Sequence, residues 1–524
     1  MYKSLFIFLI FLSQWGFSQE QLWERKTGGK QADFLSDGLS TVDYGFLLGG
    51  SSLSDVSGIK NSGSYDYLLT KYSEDGAKEW SKIFGGKDTD LLQRILLDYD
   101  GGYLLGGISR SGKGGLKTGL HIGGFDIWLV KLDLYGNLLW QKTLGGMADE
   151  QLGDIIRTPD GGYLIGGSSS SGELLPVGKK WPGEVIVKEQ QNYGNADFWV
   201  VKLDAQGNFL WQKSYGGARK DLLKNILALP GGGYLLAGIS NSLPGGNKTA
   251  KNKGGNDWWI IKTDSSGNIE WQKSFGDDAE DVLSKMIFTR DKGILLGGYY
   301  VYIDPESNKN KADMVLRKID LDGNLLWKEI YTATTDDYLV DLLQNKDGSL
   351  ILGSYSASRN KNKKSIKKGD AEDYLLIKTD EQGQELWRVK AGGPEKEVLK
   401  KIIMTRDGGY VLMGSRIGGK SGRDMSSDFY MVKIGDKDKP QQKKFPLEAI
   451  PNPAVLYTQA VIGNDYEKGR FRLIDLNGKV LQEKELKGEK IVPVNMSYYP
   501  NGVYIINIRV DDYSNSTKVI KSAH

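Results

Sequence analysis

Seven acidic side chains recur in this chain at one place in a repeated unit, four residues after a Gly-Gly position: Asp33, Asp90, Glu150, Asp221, Asp281, Asp337 and Glu397. Carboxylates are hard oxygen ligands, and a ring of them would draw a cation such as calcium. A carboxylate at a repeated turn can equally accept backbone N–H bonds and fix the strand that follows. A second chemistry is cationic: Arg359, Lys361, Lys363, Lys364, Lys367 and Lys368 crowd one short stretch, as a solvated loop or as a contact for an acidic glycan. A third is aromatic: Trp181 sits in a long insertion, where it either packs its own loop or offers a platform for a sugar ring.

Much chemistry is excluded. The chain has no cysteine, so it can form no disulfide, thiolate metal site or cysteine nucleophile. Its two histidines are His121 and the terminal His524, which removes most zinc sites and most serine–histidine catalysis. A net charge of +3 over 524 residues gives no reason to expect nucleic acid as a partner.

The elements that position these residues follow from two series. Tryptophans 23, 80, 140, 211, 271, 327 and 387 each precede a Lys or Arg by a residue or two, at intervals between 56 and 71 residues. Aspartates 66, 126, 197, 257, 313, 373 and 428 each open a short aromatic and β-branched run. One repeat reads as four strands. They are Asp154–Thr158, Tyr163–Ser168, Asp197–Asp204 and Phe209–Gly217, with a Pro-Asp-Gly-Gly turn after the first and an Asp-Ala-Gln-Gly-Asn turn after the third. Runs such as Ile95-Leu96-Leu97 do not alternate with polar residues, as expected of strands covered on both faces. The two series are offset: the first tryptophan strand has no aspartate strand before it, and the last aspartate strand has no tryptophan strand after it. A ring closed by pairing its first strand with its last explains that offset. The expected fold is all-β, a seven-bladed β-propeller of four-stranded antiparallel blades over residues 19–435, with the N-terminal strand completing the last blade.

Connectivity sorts the loops onto two faces. The tight turns after first and third strands share one face, and the links of varying length share the other. The long links are Gly112–Phe125, Gly172–Ala196, Leu243–Asn256, Tyr302–Ala312, Ala357–Glu372 and Ile417–Ser427. Binding sites on rigid scaffolds concentrate on variable loops, so that face is the expected site of any ligand.

The ends of the chain carry addresses. Lys3, the apolar run Leu5–Leu12 and the small residues before Gln19 read as a secretory signal over residues 1–18. That apolar run is too short to span a bilayer, and no later one is long enough. A charged linker, 436–446, leads to a different unit at 447–524, a small Ig-like β-sandwich of short strands with Asn-Gly turns. Pro451-Asn452-Pro453, Asp475, Asn477-Gly478, Gly502, Tyr504 and Lys518 occur in it in that order. This tail resembles the type A C-terminal sorting domain of the type IX secretion system of Bacteroidota. The resemblance implies export, engagement of that machinery, and a protein secreted or held on the outer-membrane surface. The propeller part is similar to repeat propellers joined to such tails, which brings no activity with it.

Three functions compete. The first is a non-catalytic binding or adhesion module engaging a glycan or protein, with no cofactor beyond an optional calcium. The second is an enzyme. The segment Asp133-x-x-Gly136-Asn137-x-x-Trp140 resembles part of quinoprotein dehydrogenase propellers, and carboxylate pairs suit a carbohydrate-active enzyme, but no residue stands out from the repeat. The third is a structural surface protein.

Overall fold

The computed structural model describes residues 20–522 apart from 56–63, 173–180, 307, 333–335, 357–372, 394, 419–425, 436–446 and 464–465. The expected secretory signal, the basic run 359–368 and the linker therefore lie outside the described residues. Among the described residues every element is a β-strand, and no helix is long and apolar enough to cross a membrane.

Before residue 436 the strands form seven antiparallel sheets of four, one of which gains a short fifth strand. Their first strands are Asp33–Ser40, Asp90–Leu97, Glu150–Arg157, Asp221–Ala228, Glu280–Phe288, Asp337–Gln344 and Lys396–Met404. These contact one another in sequence order, and the seventh contacts the first, so the arrangement is propeller-like. Burial follows position. Second and third strands such as Phe46–Ser52 and Asp66–Tyr72 are buried throughout, because each sheet is covered on both faces by its neighbours. The fourth strands, such as Lys78–Phe84, are partly exposed at the rim.

Glycine and tryptophan make the sheet-to-sheet contacts. A Cβ on Gly49 would lie 2.4 Å from the Ile95 side chain of the next sheet, and one on Gly106 2.3 Å from Ile155. Glycine in the second strand thus makes room for the next sheet's aliphatic residue. At the rim, tryptophans lie over the turn glycine of the following sheet: Trp80 on Gly136, Trp140 on Gly207, Trp211 on Gly267, Trp271 on Gly323. Those glycines have φ between 75° and 80°, so the turn and the close approach both favour glycine. Trp23, on the N-terminal strand, lies in the same way on Gly76 of the first sheet.

The seam is built as the offset predicts. Glu20–Thr27 pairs antiparallel with Ser426–Gly435, from Glu20 opposite Gly435 to Thr27 opposite Phe429. Leu35 N–H donates to Ser415 Oγ (2.8 Å), and Ser427 Oγ–H donates to the Asp33 carbonyl (3.0 Å).

One expected loop is not a loop. Tyr302–Ala312 is mostly strand, because Ile294–Asp304 and Lys309–Ile319 pair through to Asp304 opposite Lys309. Tyr300 and Tyr302 stack with ring centroids 5.4 Å apart, and Lys311 pairs with Asp304 at 2.8 Å, which supports the longer hairpin.

After Leu447 two sheets, of three and four strands, pack around one core that includes Phe471, Leu473, Val494, Ile506 and Val519. This unit rests on the tight-turn face. Gln459 donates to the Tyr99 carbonyl (2.9 Å), Tyr44 donates to Glu448, Arg406 lies 3.8 Å from Glu448, and Val42, Leu134 and Ile491 form an apolar cluster.

Candidate functional site

The seven repeated acids open or nearly open the first strands, and each is 0% exposed. Each partner set is local. Asp33, Asp90, Glu150, Asp221, Asp281 and Glu397 accept from the backbone N–H four residues upstream, at 2.7–3.1 Å. Serines two apart complete several sets: Ser169 and Ser171 both donate to Glu150, at 2.6 and 2.7 Å.

At three of the links the acid also lies near the aspartate that opens the third strand of the preceding sheet, and the link glycine (Gly28, Gly145 or Gly392) is wedged between them. A Cβ on Gly145 would fall 2.0 Å from Asp126 and 2.9 Å from Glu150, and one on Gly28 2.0 Å from Asp428 and 2.7 Å from Asp33. Burial pushes Asp126, Glu150, Asp197 and Glu397 up to about 7. Asp33, Asp90, Asp221 and Asp281 are raised for the same reason. Among the described residues no three carboxylates or histidines converge as a metal cage.

Cations that the sequence reading missed sit beside these acids. Lys117, Lys188 and Lys248 are buried under the long links of the second, third and fourth sheets. Their ammonium groups donate to Ser109 Oγ (2.6 Å), the Ser171 carbonyl (3.1 Å) and the Ala250 carbonyl (2.7 Å). Burial lowers Lys117 and Lys188 to about 8. In the fifth and seventh sheets an arginine takes the place. Arg317 donates to Asp281 (3.1 Å) over the Trp258 ring, and Arg416 donates to Glu397 (2.9 Å) over Tyr430.

The same three links are laced to the rim. Gln141, Gln212 and Gln272 each accept from a buried indole N–H, of Trp128, Trp199 and Trp259, at 2.9–3.1 Å. Their amide nitrogens donate to the link carbonyls of Leu116, Val187 and Asn247. Each glutamine stands 24 residues after the buried lysine of its link, a spacing that was available in the sequence.

The Trp181 insertion does not stand up from the loop face. Val185–Val187 pairs parallel with Thr143–Gly145, and Lys142 donates to the Gly183 carbonyl (2.7 Å). The insertion therefore descends the outer edge of the second sheet and brings half-buried Trp181 there. A groove of about 510 Å³ opens where Gly183 and Glu184 of the insertion meet the rim strand, lined also by Leu138, Leu139, Trp140, Lys142 and Gln206 among others, with Trp181 outside the lining. Leu138 and Leu139 are exposed, and Trp140 is half-buried against Gly207. The basic residues 359, 361, 363, 364, 367 and 368 lie outside the described residues.

The tail motif is tied together in space. Asn452 donates to the Lys518 carbonyl (2.7 Å) and accepts from the Ile520 N–H (2.9 Å), which fastens the Pro451-Asn452-Pro453 segment to the last strand. Asp475 accepts from the Asn477 and Lys479 N–H groups across a turn whose Gly478 has φ 83°. Tyr504 donates to the Pro500 carbonyl (2.7 Å), close to Gly502.

Residues 448–522 match the family described as secretion system C-terminal sorting domain. The chain therefore carries a type IX sorting tail and is exported, to be secreted or attached to the cell surface. No curated protein matches the chain. Among solved structures it is similar to a polysaccharide lyase of family 25, an ulvan lyase, with 11% identity, 79% of this chain and 96% of that one covered, and a TM-score of 0.42. It is also similar to an ACO/RPE65 chimera, with 12% identity, 91% and 93% covered, and a TM-score of 0.36. A third is a member of the duf4221 family from Bacteroides vulgatus, with 9% identity, 80% and 100% covered, and a TM-score of 0.33.

Proposed function

We propose that the protein is an exported, non-catalytic binding module: a seven-bladed β-propeller, closed by its N-terminal strand and followed by an Ig-like sorting domain, that holds a glycan in the groove between its second and third blades. The observation that carries this reading is the descent of the Trp181 insertion onto the rim beside Trp140, Leu138 and Leu139. Flat apolar and aromatic surface flanked by amide and charged side chains suits the alternating apolar and hydroxyl faces of a sugar. The tail occupies part of the opposite, tight-turn face, which leaves the rim and the long links to meet a ligand. Carboxylates with raised pKa are often catalytic. Here all seven repeated acids are fully buried and six of them accept from backbone N–H groups, which supports a role in fastening the links.

A glycan array probed with the purified protein tests the reading. Binding is expected for some glycans, and Gln206→Ala or Leu139→Ser should lower it at least tenfold without changing the melting temperature by more than a few degrees. Hits that survive both substitutions would move the site elsewhere, and turnover of a bound glycan would replace binding by catalysis.

A further inference from the structure

Each of the seven first strands contains a β-bulge about halfway along, with its register shift between Leu35 and Asp37, Leu92 and Arg94, Leu152 and Asp154, and the four equivalent pairs. A bulge leaves one residue outside the ladder and re-aims the side chains around it. Because these strands contact one another in a ring, the bulges form a belt around the axis. Three belt positions are acidic, Asp37, Asp154 and Asp341, and each is committed to the backbone. They accept from the Ile95, Ile226 and Ile402 N–H groups of the next sheet at 2.9–3.0 Å.

Five cations share the belt. Two meet carboxylates: Arg94 lies 3.7 Å from Asp154, and Lys401 lies 3.7 Å from Asp341 and 3.9 Å from Asp37. Lys224, Lys285 and Lys400 have no carboxylate within ion-pair distance among the described residues. Lys224 and Lys400 each feel a cation, and Lys285 feels two cations together with the more distant Asp341 and Asp154 carboxylates. Arg94 of the second sheet acts on Lys224 of the fourth, Lys285 of the fifth and Lys400 of the seventh, and Lys401 acts on Lys285. Residues on sheets that do not adjoin thus face one another across the axis. Water reaches them, since Lys400 is exposed and Lys224, Lys285 and Lys401 are half-exposed. Asn225, 3% exposed at the fourth belt position, leaves its amide oxygen without a protein partner.

We propose that this belt is an anion site: Lys224, Lys285 and Lys400 converge in the axial channel on an oxyanion of the phosphate or sulfate type, as a free ion or as the charged group of an acidic saccharide. Five cations face three carboxylates already used by backbone N–H groups, and a doubly charged oxyanion supplies the missing charge and accepts the unused ammonium protons. The site is separate from the rim groove and stands whether or not that groove binds a glycan.

The test is calorimetry and thermal melting of the full protein at low ionic strength with sodium sulfate, sodium phosphate and a sulfated disaccharide, each against sodium chloride at equal ionic strength. A saturable rise in melting temperature with at least one oxyanion, and none with chloride, is expected. Lys285→Met and Lys224→Met should each weaken that affinity at least tenfold, while leaving the ligand-free protein as stable or more so, because each removes a cation from a cation cluster. Binding of the inorganic ions points to a free ion, and binding of the disaccharide alone points to a carried group. Equal responses to sulfate, phosphate, disaccharide and chloride would overturn the proposal, as would undiminished binding in the Lys224→Met/Lys285→Met double variant. If Lys285→Met does not fold, Lys285→Gln serves in its place.

Discussion

A buried carboxylate works against the fold when it is ionised, and the repeated acids show how the cost is spread. Glu150 accepts two serine hydroxyls and one backbone N–H, with Asp126 close by, and burial raises it from 4.5 to about 7. The folded chain therefore holds this proton more tightly than the unfolded chain does. Stability supplied by the raised value is complete below about pH 4 and is lost as pH rises through 7. Asp126, Asp197 and Glu397 act in the same direction over the same window. Lys117 and Lys188, lowered to about 8, titrate above it. The melting temperature should thus fall between pH 5 and pH 8. Glu150→Gln should cost less at pH 8 than at pH 5, by about 1–3 kcal/mol, in denaturant titrations at the two values. A pH-independent cost would mean that Glu150 is ionised throughout.

At the level of the element, a strand and its link are held by a few side chains that serve both. Gln212 lies on a rim strand, yet it accepts from Trp199 Nε1 (2.9 Å) and the Glu189 N–H (3.1 Å) and donates to the Val187 carbonyl (3.0 Å). Gln212→Leu leaves two buried donors without an acceptor, at a cost of about 2–4 kcal/mol. Hydrogen exchange should then speed up at residues 187–189 in particular, and the parallel pairing of Val185–Val187 should loosen with it. The hairpin at Tyr302–Ala312 makes the same point in reverse. Its residues read as a loop, but Tyr300, Tyr302 and a Lys311–Asp304 pair hold them as strand.

For the whole molecule, ring closure leaves a signature in side-chain volume. Five of the seven second strands place a glycine where the next sheet's first strand brings an aliphatic side chain, as Gly49 does for Ile95 and Gly353 for Ile402. At the seam the sizes are exchanged: Met413 of the seventh sheet fills the space beside Gly38 of the first, and a Cβ on Gly38 would lie 2.5 Å from Met413 Sδ. Gly38→Ile should therefore overpack the seam by about 1–3 kcal/mol, and Met413→Gly should leave a cavity costing about 2–4 kcal/mol. The double variant restores the arrangement used elsewhere in the ring, so it should recover most of the loss in a thermal double-mutant cycle. Strictly additive losses would mean that the two sheets do not pack there.

The repeat determined by itself the strands, their order, the offset that closes the ring and the motif of the sorting tail. Each of these depends on local pattern: turn glycines, runs buried on both faces, and fixed spacing from Trp23 to Trp387. The 24-residue step from Lys117, Lys188 and Lys248 to their glutamines was also present, but a lysine in a link of varying length reads as solvated until the packing around it is known. The tertiary structure alone decided which charges meet. Arg94, Lys224, Lys285 and Lys400 are far apart along the chain, and only the bulges of four different sheets set them around one axis. It alone laid the Trp181 insertion along a rim strand and the tail on the tight-turn face. The physical reason is that strand formation answers to near neighbours in sequence, whereas electrostatics and surface docking depend on distance in space, which the sequence sets only through the closed ring.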